Sequence, residues 1–210
     1  MDLALQIWGG VFYLANKVFF ALAEGKEPAQ MRQLRLIGWS VYILGVPAWI
    51  IILLTKQNWI AASLEMGGVP AMFLGLYCVW SRSANPPILL DRLAASATYF
   101  SLVFGICYSI SDYGGLTSLS QLLEILSASG FLLGSYLLAK GRLSGWVLFM
   151  LMNGSMASLM ILNTKYVLAA QQGVSLCVVI YGLYTAIMNR ERIPNDQPAA
   201  QQSQLQRDDP

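Results

Sequence analysis

The chain has no histidine. That removes the commonest metal ligand and the side chain best suited to relaying protons near neutral pH. Cysteine is scarce: Cys78, Cys107 and Cys177 stand singly in apolar stretches, with no Cys-x-x-Cys spacing. Neither a disulfide framework nor a metal knuckle is expected, and no cofactor is implied. Charged residues make up 11% of 210 positions and the net charge is +2. A chain so poor in charge has no basic patch with which to hold nucleic acid. No glycine-rich phosphate loop is present, which argues against an ATP-driven pump. No paired nucleophile and base is found near either end of an apolar segment, so an enzyme is not expected.

What the chain does have is apolar length. Apolar residues account for 56% of it, and several runs reach the 18 or so residues needed to cross about 30 Å of hydrocarbon. Lipid cannot satisfy backbone amides, so such runs must be helices. The expected fold is an all-α polytopic membrane protein with seven spans, near 3–23, 36–54, 59–80, 93–110, 119–139, 145–162 and 166–188. Turn signals fall between them, among them Glu24-Gly25-Lys26-Glu27-Pro28 and Asp112-Tyr113-Gly114-Gly115. The first span has no positive flank and no small-residue cleavage site, so a cleavable signal is not expected. Residues 193–210 are rich in Pro, Asn, Asp and Gln and are expected to form a disordered cytoplasmic tail.

Lys and Arg set the orientation. Lys26, Arg32, Arg35, Arg82, Arg92, Lys140, Arg142, Arg190 and Arg192 fall on one side of a seven-span topology, and only Lys56 and Lys165 on the other. The positive-inside rule then puts the N-terminus outside and the C-terminus in the cytoplasm. A repeat underlies the order of spans. Shifting the chain by 107 residues lays 35–82 on 142–189 without a gap, and nine positions match. Gly38-Trp39 meets Gly145-Trp146, and Gly75-Leu76-Tyr77 meets Gly182-Leu183-Tyr184. An even number of crossings separates equivalent spans, so the repeats are parallel. The expected arrangement is 3+1+3: a first three-helix bundle at 1–82, a crossover helix at 83–116 and a second bundle at 117–192.

Polar residues inside the spans are costly and therefore informative. Glu65 and Glu124 lie one to two turns into spans that begin outside, and the repeat sets Glu65 opposite Gln172, beside Gln171. Asn153 lies at a similar level, and Ser175 joins it. Trp146, Phe149 and Asn153 follow i, i+3 and i+7, one helical face. An aromatic face that ends in an amide suits a flat ring bearing a hydrogen-bonding group, and a nearby carboxylate favours a cationic ring. Asn153 as interhelical glue, Glu65 tucked against a polar neighbour, and Gln171 and Gln172 at the interface are the structural alternatives. Lys17 is expected to snorkel to the cytoplasmic interface, and Trp8, Trp59 and Trp80 to belong to the aromatic belts. Pro47 and Pro70 lie within spans and are candidate hinges.

Over most of 36–82 and 119–192 the chain resembles the PnuC-type vitamin transporters, doubled relatives of the SWEET sugar facilitators. The resemblance rests on Gly145-Trp146 through Asn153, Tyr166 and the polar stretch 171–175. In the first half it rests on Gly45, Gly75-Leu76-Tyr77 and Trp80-Ser81-Arg82. Glu124 stands twenty-two residues before Trp146, where such proteins carry an acid. The resemblance implies a carrier in the bacterial inner membrane, a homotrimer, and facilitated diffusion of nicotinamide riboside, trapped afterwards by phosphorylation for NAD biosynthesis. Relatives are assigned thiamine, riboflavin or other nucleosides. Two positions depart from the family pattern. Phe149 stands where an indole precedes Asn153 in Trp-x-x-x-Asn, and Glu65 stands where an amide is usual. The expected site is Asn153, Trp146, Phe149, Glu124, Glu65, Gln172 and Gln171. Its substrate is a small cationic vitamin, nicotinamide riboside first and thiamine second; a non-transporting assembly protein is the alternative of another class.

Overall fold

A computed structural model of the protein describes residues 2–82 and 86–205, with side chains described over 4–82 and 86–189. Those residues form seven helices: α1 (Asp2–Ala23), α2 (Pro28–Thr55), α3 (Trp59–Ser81), α4 (Ile88–Tyr113), α5 (Leu119–Ala139), α6 (Ser144–Leu162) and α7 (Tyr166–Leu205). Each is long and apolar enough to cross a bilayer, α7 in its part Tyr166–Asn189. The expected spans are recovered, and the differences lie at their ends. α2 begins at Pro28 rather than near 36, because proline at the first helical position is preset for the turn. The polar run that follows extends the helix beyond the hydrocarbon, where hydropathy does not register it. α2 and α3 each run as one helix through Pro47 and Pro70. The α7 backbone is helical to Leu205, overlapping the stretch expected to be an unfolded tail; residues 206–210 of that stretch lie outside the described residues.

Short polar side chains close the helix ends. Asn58 Oδ1 accepts from the Ala61 N–H at 3.1 Å, and Ser118 Oγ accepts from the Gln121 N–H at 3.2 Å. Each satisfies one of the amides that a first turn leaves without a partner. Gly114 ends α4 at φ +68°, a conformation that glycine adopts without Cβ strain.

The helices pack in a ring. α1 lies on α2, α2 on α3, α3 on α5, α5 on α6 and α6 on α7, and α7 returns to α1. Among the described residues α4 packs on α3 and α5 alone and straps their seam from outside. There Asp91 accepts hydrogen bonds from Tyr136 Oη and Lys140 Nζ, each at 2.9 Å. The bond to Asp91 holds the Lys140 ammonium above its ordinary pKa. The ring maps onto itself when α1, α2 and α3 are exchanged for α5, α6 and α7.

Two contacts give the 107-residue repeat a physical counterpart. Trp39 of α2 lies against Gly75 of α3, and Trp146 of α6 lies against Gly182 of α7. Glycine is needed at both places because the indole occupies the space of a Cβ. The α5/α6 seam is closer still, backbone against backbone. A Cβ at Gly130 would sit 2.6 Å from the Leu148 carbonyl oxygen and 2.8 Å from the Met152 nitrogen. Small residues permit this approach, which replaces the hydrophobic drive that lipid cannot supply between helices.

Gly130→Ala is therefore expected to force α5 and α6 apart and cost about 1–3 kcal/mol, the usual range for overpacking. Thermal unfolding in detergent checks this. Gly154→Ala is the control, since nothing lies within 4 Å of a Cβ there. Equal melting temperatures for the two variants would contradict the close-seam account.

Candidate functional site

The face predicted on α6 exists and points inward. Trp146, Phe149 and Asn153 are all buried, Asn153 with 0% exposure. Trp146 rests on Gly182 and Phe149 on Gly134, so glycines of both flanking helices make room for the aromatic face. Asn153 Nδ2 donates to the Phe149 carbonyl at 2.6 Å, one turn back along its own helix. One of its two amide hydrogens is thereby engaged and its oxygen is directed away from α6.

That oxygen receives Lys17. Nζ of this α1 residue donates to Asn153 Oδ1 at 2.7 Å, and the side chain is 5% exposed. The expectation that Lys17 snorkels to the interface is corrected here. Its stem faces the ring interior, where an acceptor lies within reach, so the ammonium bonds across the ring. No carboxylate lies within ion-pair distance; the ion pairs among the described residues are Arg35 with Glu24 and Lys140 with Asp91. Carrying a lysine to mid-membrane costs about 2.5–3.5 kcal/mol on insertion scales. A hydrogen bond to a charged group returns about 1.5–3 kcal/mol. The bond to Asn153 thus offsets most of the cost.

One turn before Lys17, Tyr13 Oη donates to Glu65 Oε2 of α3 at 2.7 Å. Tyr42 Oη of α2 and Ser135 Oγ of α5 are hydrogen-bonded at 3.2 Å. α1 does not pack along α3 or α6, nor α2 along α5, so all three bonds are side-chain links across the ring. Two of them, Lys17 to Asn153 and Tyr42 to Ser135, join the first three helices to the last three.

Aromatic rings line the same axis. Tyr13 meets Tyr42 edge to face at 5.2 Å, Tyr42 lies nearly parallel to Trp39 at 6.2 Å, and Trp39 meets Phe20 at 4.8 Å. Beyond Trp39 a cavity of 590 Å³ opens at the end of the ring where α1, α3, α5 and the crossing part of α7 finish. Its floor is the pair Trp39 and Trp146, and its mouth carries Arg32, Arg35, Arg82, Lys140 and Arg142. Part of that charge is engaged: Arg35 pairs with Glu24 at 2.7 Å, and Arg32 donates to the Val79 and Trp80 carbonyls at 3.2 and 3.0 Å. Asn153 lies seven residues past Trp146, about 10 Å deeper at 1.5 Å per residue.

The predicted residues are only partly gathered. Trp146, Phe149, Asn153 and part-buried Glu65 belong to the interior. Gln171 Nε2 donates to the Gly10 carbonyl at 3.2 Å and ties α7 to α1. Gln172 has a buried Oε1 without a partner among the described residues. Glu124 is exposed and makes no hydrogen bond or ion pair to a described residue, so it is not brought to Asn153. Trp59 and Trp80 are 64% and 66% exposed at span ends, as belt residues would be. Sequence reasoning missed Tyr13, Asn16 and Tyr42 and misread Lys17. The signal was present: Tyr13, Asn16, Lys17 and Phe20 follow i, i+3, i+4 and i+7 on one face of α1. Tyr42 is the repeat equivalent of Phe149.

In chemical terms the interior offers aromatic faces, one buried ammonium, one carboxylate and several amides. Among the described residues no three of His, Cys, Asp or Glu come together as metal ligands would. Chemically, such a set can stack on a flat ring and exchange hydrogen bonds with polar groups on its edge.

No curated protein and no solved structure matches the chain. Residues 29–186 match the family described as nicotinamide mononucleotide transporter. The match takes in the ring from α2 to near the end of the crossing part of α7, including both Trp-on-Gly contacts and Asn153. With seven membrane-length helices, an interior of buried polar and aromatic side chains, and this match over most of its length, the chain belongs to the nicotinamide mononucleotide transporter family, the PnuC-type membrane transporters.

Proposed function

We propose that the protein is a passive carrier for nicotinamide riboside that works by alternating access between two three-helix bundles, α1–α3 and α5–α7, with α4 as the crossover. The observation that carries this reading is an asymmetry along the ring axis. On one side of the Trp39 and Trp146 floor, a cavity opens between the bundles. On the other, the Lys17/Asn153 and Tyr42/Ser135 bonds hold the same bundles together. A barrier on one side and an opening on the other is what alternating access requires, and rocking of one bundle against the other would exchange them. The cavity opens at the arginine-rich end, so the positive-inside rule makes this the inward-facing form, with the N-terminus outside.

In this reading Trp146 and Phe149 supply faces for the pyridine ring and Asn153 a hydrogen-bonding group. Glu65 and Gln172 line the opposite wall, with Tyr13 holding the carboxylate. Phe149 keeps a stacking surface while lacking the indole N–H. Glu124, exposed on α5, is left out of the central site.

Proteoliposome counterflow tests the reading. Labelled nicotinamide riboside is expected to exchange without ATP or an ion gradient, and Asn153→Leu is expected to reduce exchange by about tenfold or more, the loss of one hydrogen bond to a polar ligand. Thiamine serves as the competing substrate. Failure of every vitamin and nucleoside tested would refute the carrier.

Cys78 offers a second check, because it lines the cavity while Cys107 and Cys177 are exposed on α4 and α7. In a Cys107→Ser, Cys177→Ser background, a membrane-impermeant maleimide is expected to label Cys78 in inside-out vesicles and to spare it in right-side-out ones. Labelling only from the other side would reverse the orientation.

A further inference from the structure

We propose that Lys17 is a specificity-determining residue of this site, and that Lys17 and Asn153 together recognise a ring edge carrying an acceptor beside an N–H donor. The inference rests on the carrier reading above and names the chemical class that the carrier selects. A primary carboxamide on pyridine and the aminopyrimidine edge of thiamine share that pattern.

The geometry follows from the hydrogen bonds already described. One N–H of Asn153 Nδ2 is engaged by the Phe149 carbonyl, which orients the amide so that its Oδ1 is the atom facing Lys17. Lys17 presents the ammonium that this oxygen now accepts from, and an ammonium has three donors, of which Asn153 takes one. Side by side, the pair is a donor next to an acceptor. A carboxamide inserted between them accepts from Lys17 Nζ through its oxygen and donates from its NH₂ to Asn153 Oδ1. Both protein groups stay satisfied while their mutual bond opens. A carboxylate would bond Lys17 but set its second oxygen against Asn153 Oδ1, acceptor facing acceptor.

A second observation on the same turn of α1 points to a polar ligand. Asn16, adjacent to Lys17, is 1% exposed, and neither its Oδ1 nor its Nδ2 has a partner among the described residues. It stands three residues from Tyr13, on the side of α1 that carries the ring-crossing bonds. A buried amide with both atoms unpaired is unfavourable in the protein alone and matches a ligand with its own donors and acceptors.

The test measures equilibrium binding to the full-length protein in nanodiscs. The ligands are nicotinamide riboside, the pyridine riboside that lacks the carboxamide, nicotinic acid riboside and thiamine. Wild type is expected to prefer nicotinamide riboside over both other ribosides by about tenfold or more, as a hydrogen bond to a charged group provides. Lys17→Met is expected to bring nicotinamide riboside and the carboxamide-free riboside within about twofold of each other. If thiamine is the ligand bound, its affinity is expected to fall in Lys17→Met by the same factor. Lys17→Gln, which keeps N–H donors without charge, covers the case in which Lys17→Met does not elute as a folded protein. It is expected to weaken nicotinamide riboside, or thiamine if that is the ligand, and to leave the carboxamide-free riboside within about twofold. A variant that keeps the full preference, or weakens all ligands equally, overturns the role of Lys17 and leaves the carrier standing. Wild type that binds none of the four overturns both.

Discussion

A buried ammonium has few places to rest in a membrane protein, and the organisation of this ring follows from where Lys17 finds one. Lys17 is buried and no carboxylate lies within ion-pair distance, so it depends on a single amide oxygen on a helix from the other half of the molecule. That oxygen is oriented because the other end of the Asn153 amide is tied to its own helix at Phe149. Phe149 is in turn seated by Gly134, and Trp146 by Gly182. The chain of dependence runs from glycine positions to ring seating, from ring seating to amide orientation, and from the amide to the closure between bundles.

The two halves share a frame and differ in polarity. Trp39, Tyr42 and Val46 on α2 are the repeat equivalents of Trp146, Phe149 and Asn153 on α6, and all six are buried. The first copy sends Tyr42 Oη across to Ser135, while the second receives Lys17 at Asn153. The packing is alike in the two halves, and of these three pairs two differ, Tyr42 against Phe149 and Val46 against Asn153, which leaves the amide in one half alone. Among the described residues few side-chain hydrogen bonds cross between the halves, which suits the opening and closing of the proposed carrier. The α5/α6 seam, made by backbone contact at Gly130 and Gly145, is tight enough for the proposed carrier to move this pair of helices as one body.

Much of the fold was legible in the sequence because the bilayer imposes it. Length and hydropathy determine seven helices, and the 107-residue echo pairs Trp39 with Trp146 before any coordinates. The α6 face was legible for the same reason, since helical periodicity alone puts Trp146, Phe149 and Asn153 together. The partners were harder to read. Lys17 near the end of a span has two outcomes, the interface or the interior, and only the packing of α1 against α2 and α7 decides between them. Glu124 shows the converse: its depth in the span was clear, but depth does not say which way a side chain faces. Asn16 and Tyr42 carried signals in their spacing that had meaning only once α1 and α2 were known to border the central axis.

The account turns on whether the bond between Lys17 and Asn153 is the place where the substrate enters the network. An experimental structure with nicotinamide riboside bound measures this directly. The account predicts that Lys17 Nζ and Asn153 Oδ1 separate beyond hydrogen-bond distance and that each contacts the carboxamide of the ligand. A bound structure in which the two remain 2.7 Å apart, with the ligand held elsewhere, would contradict it.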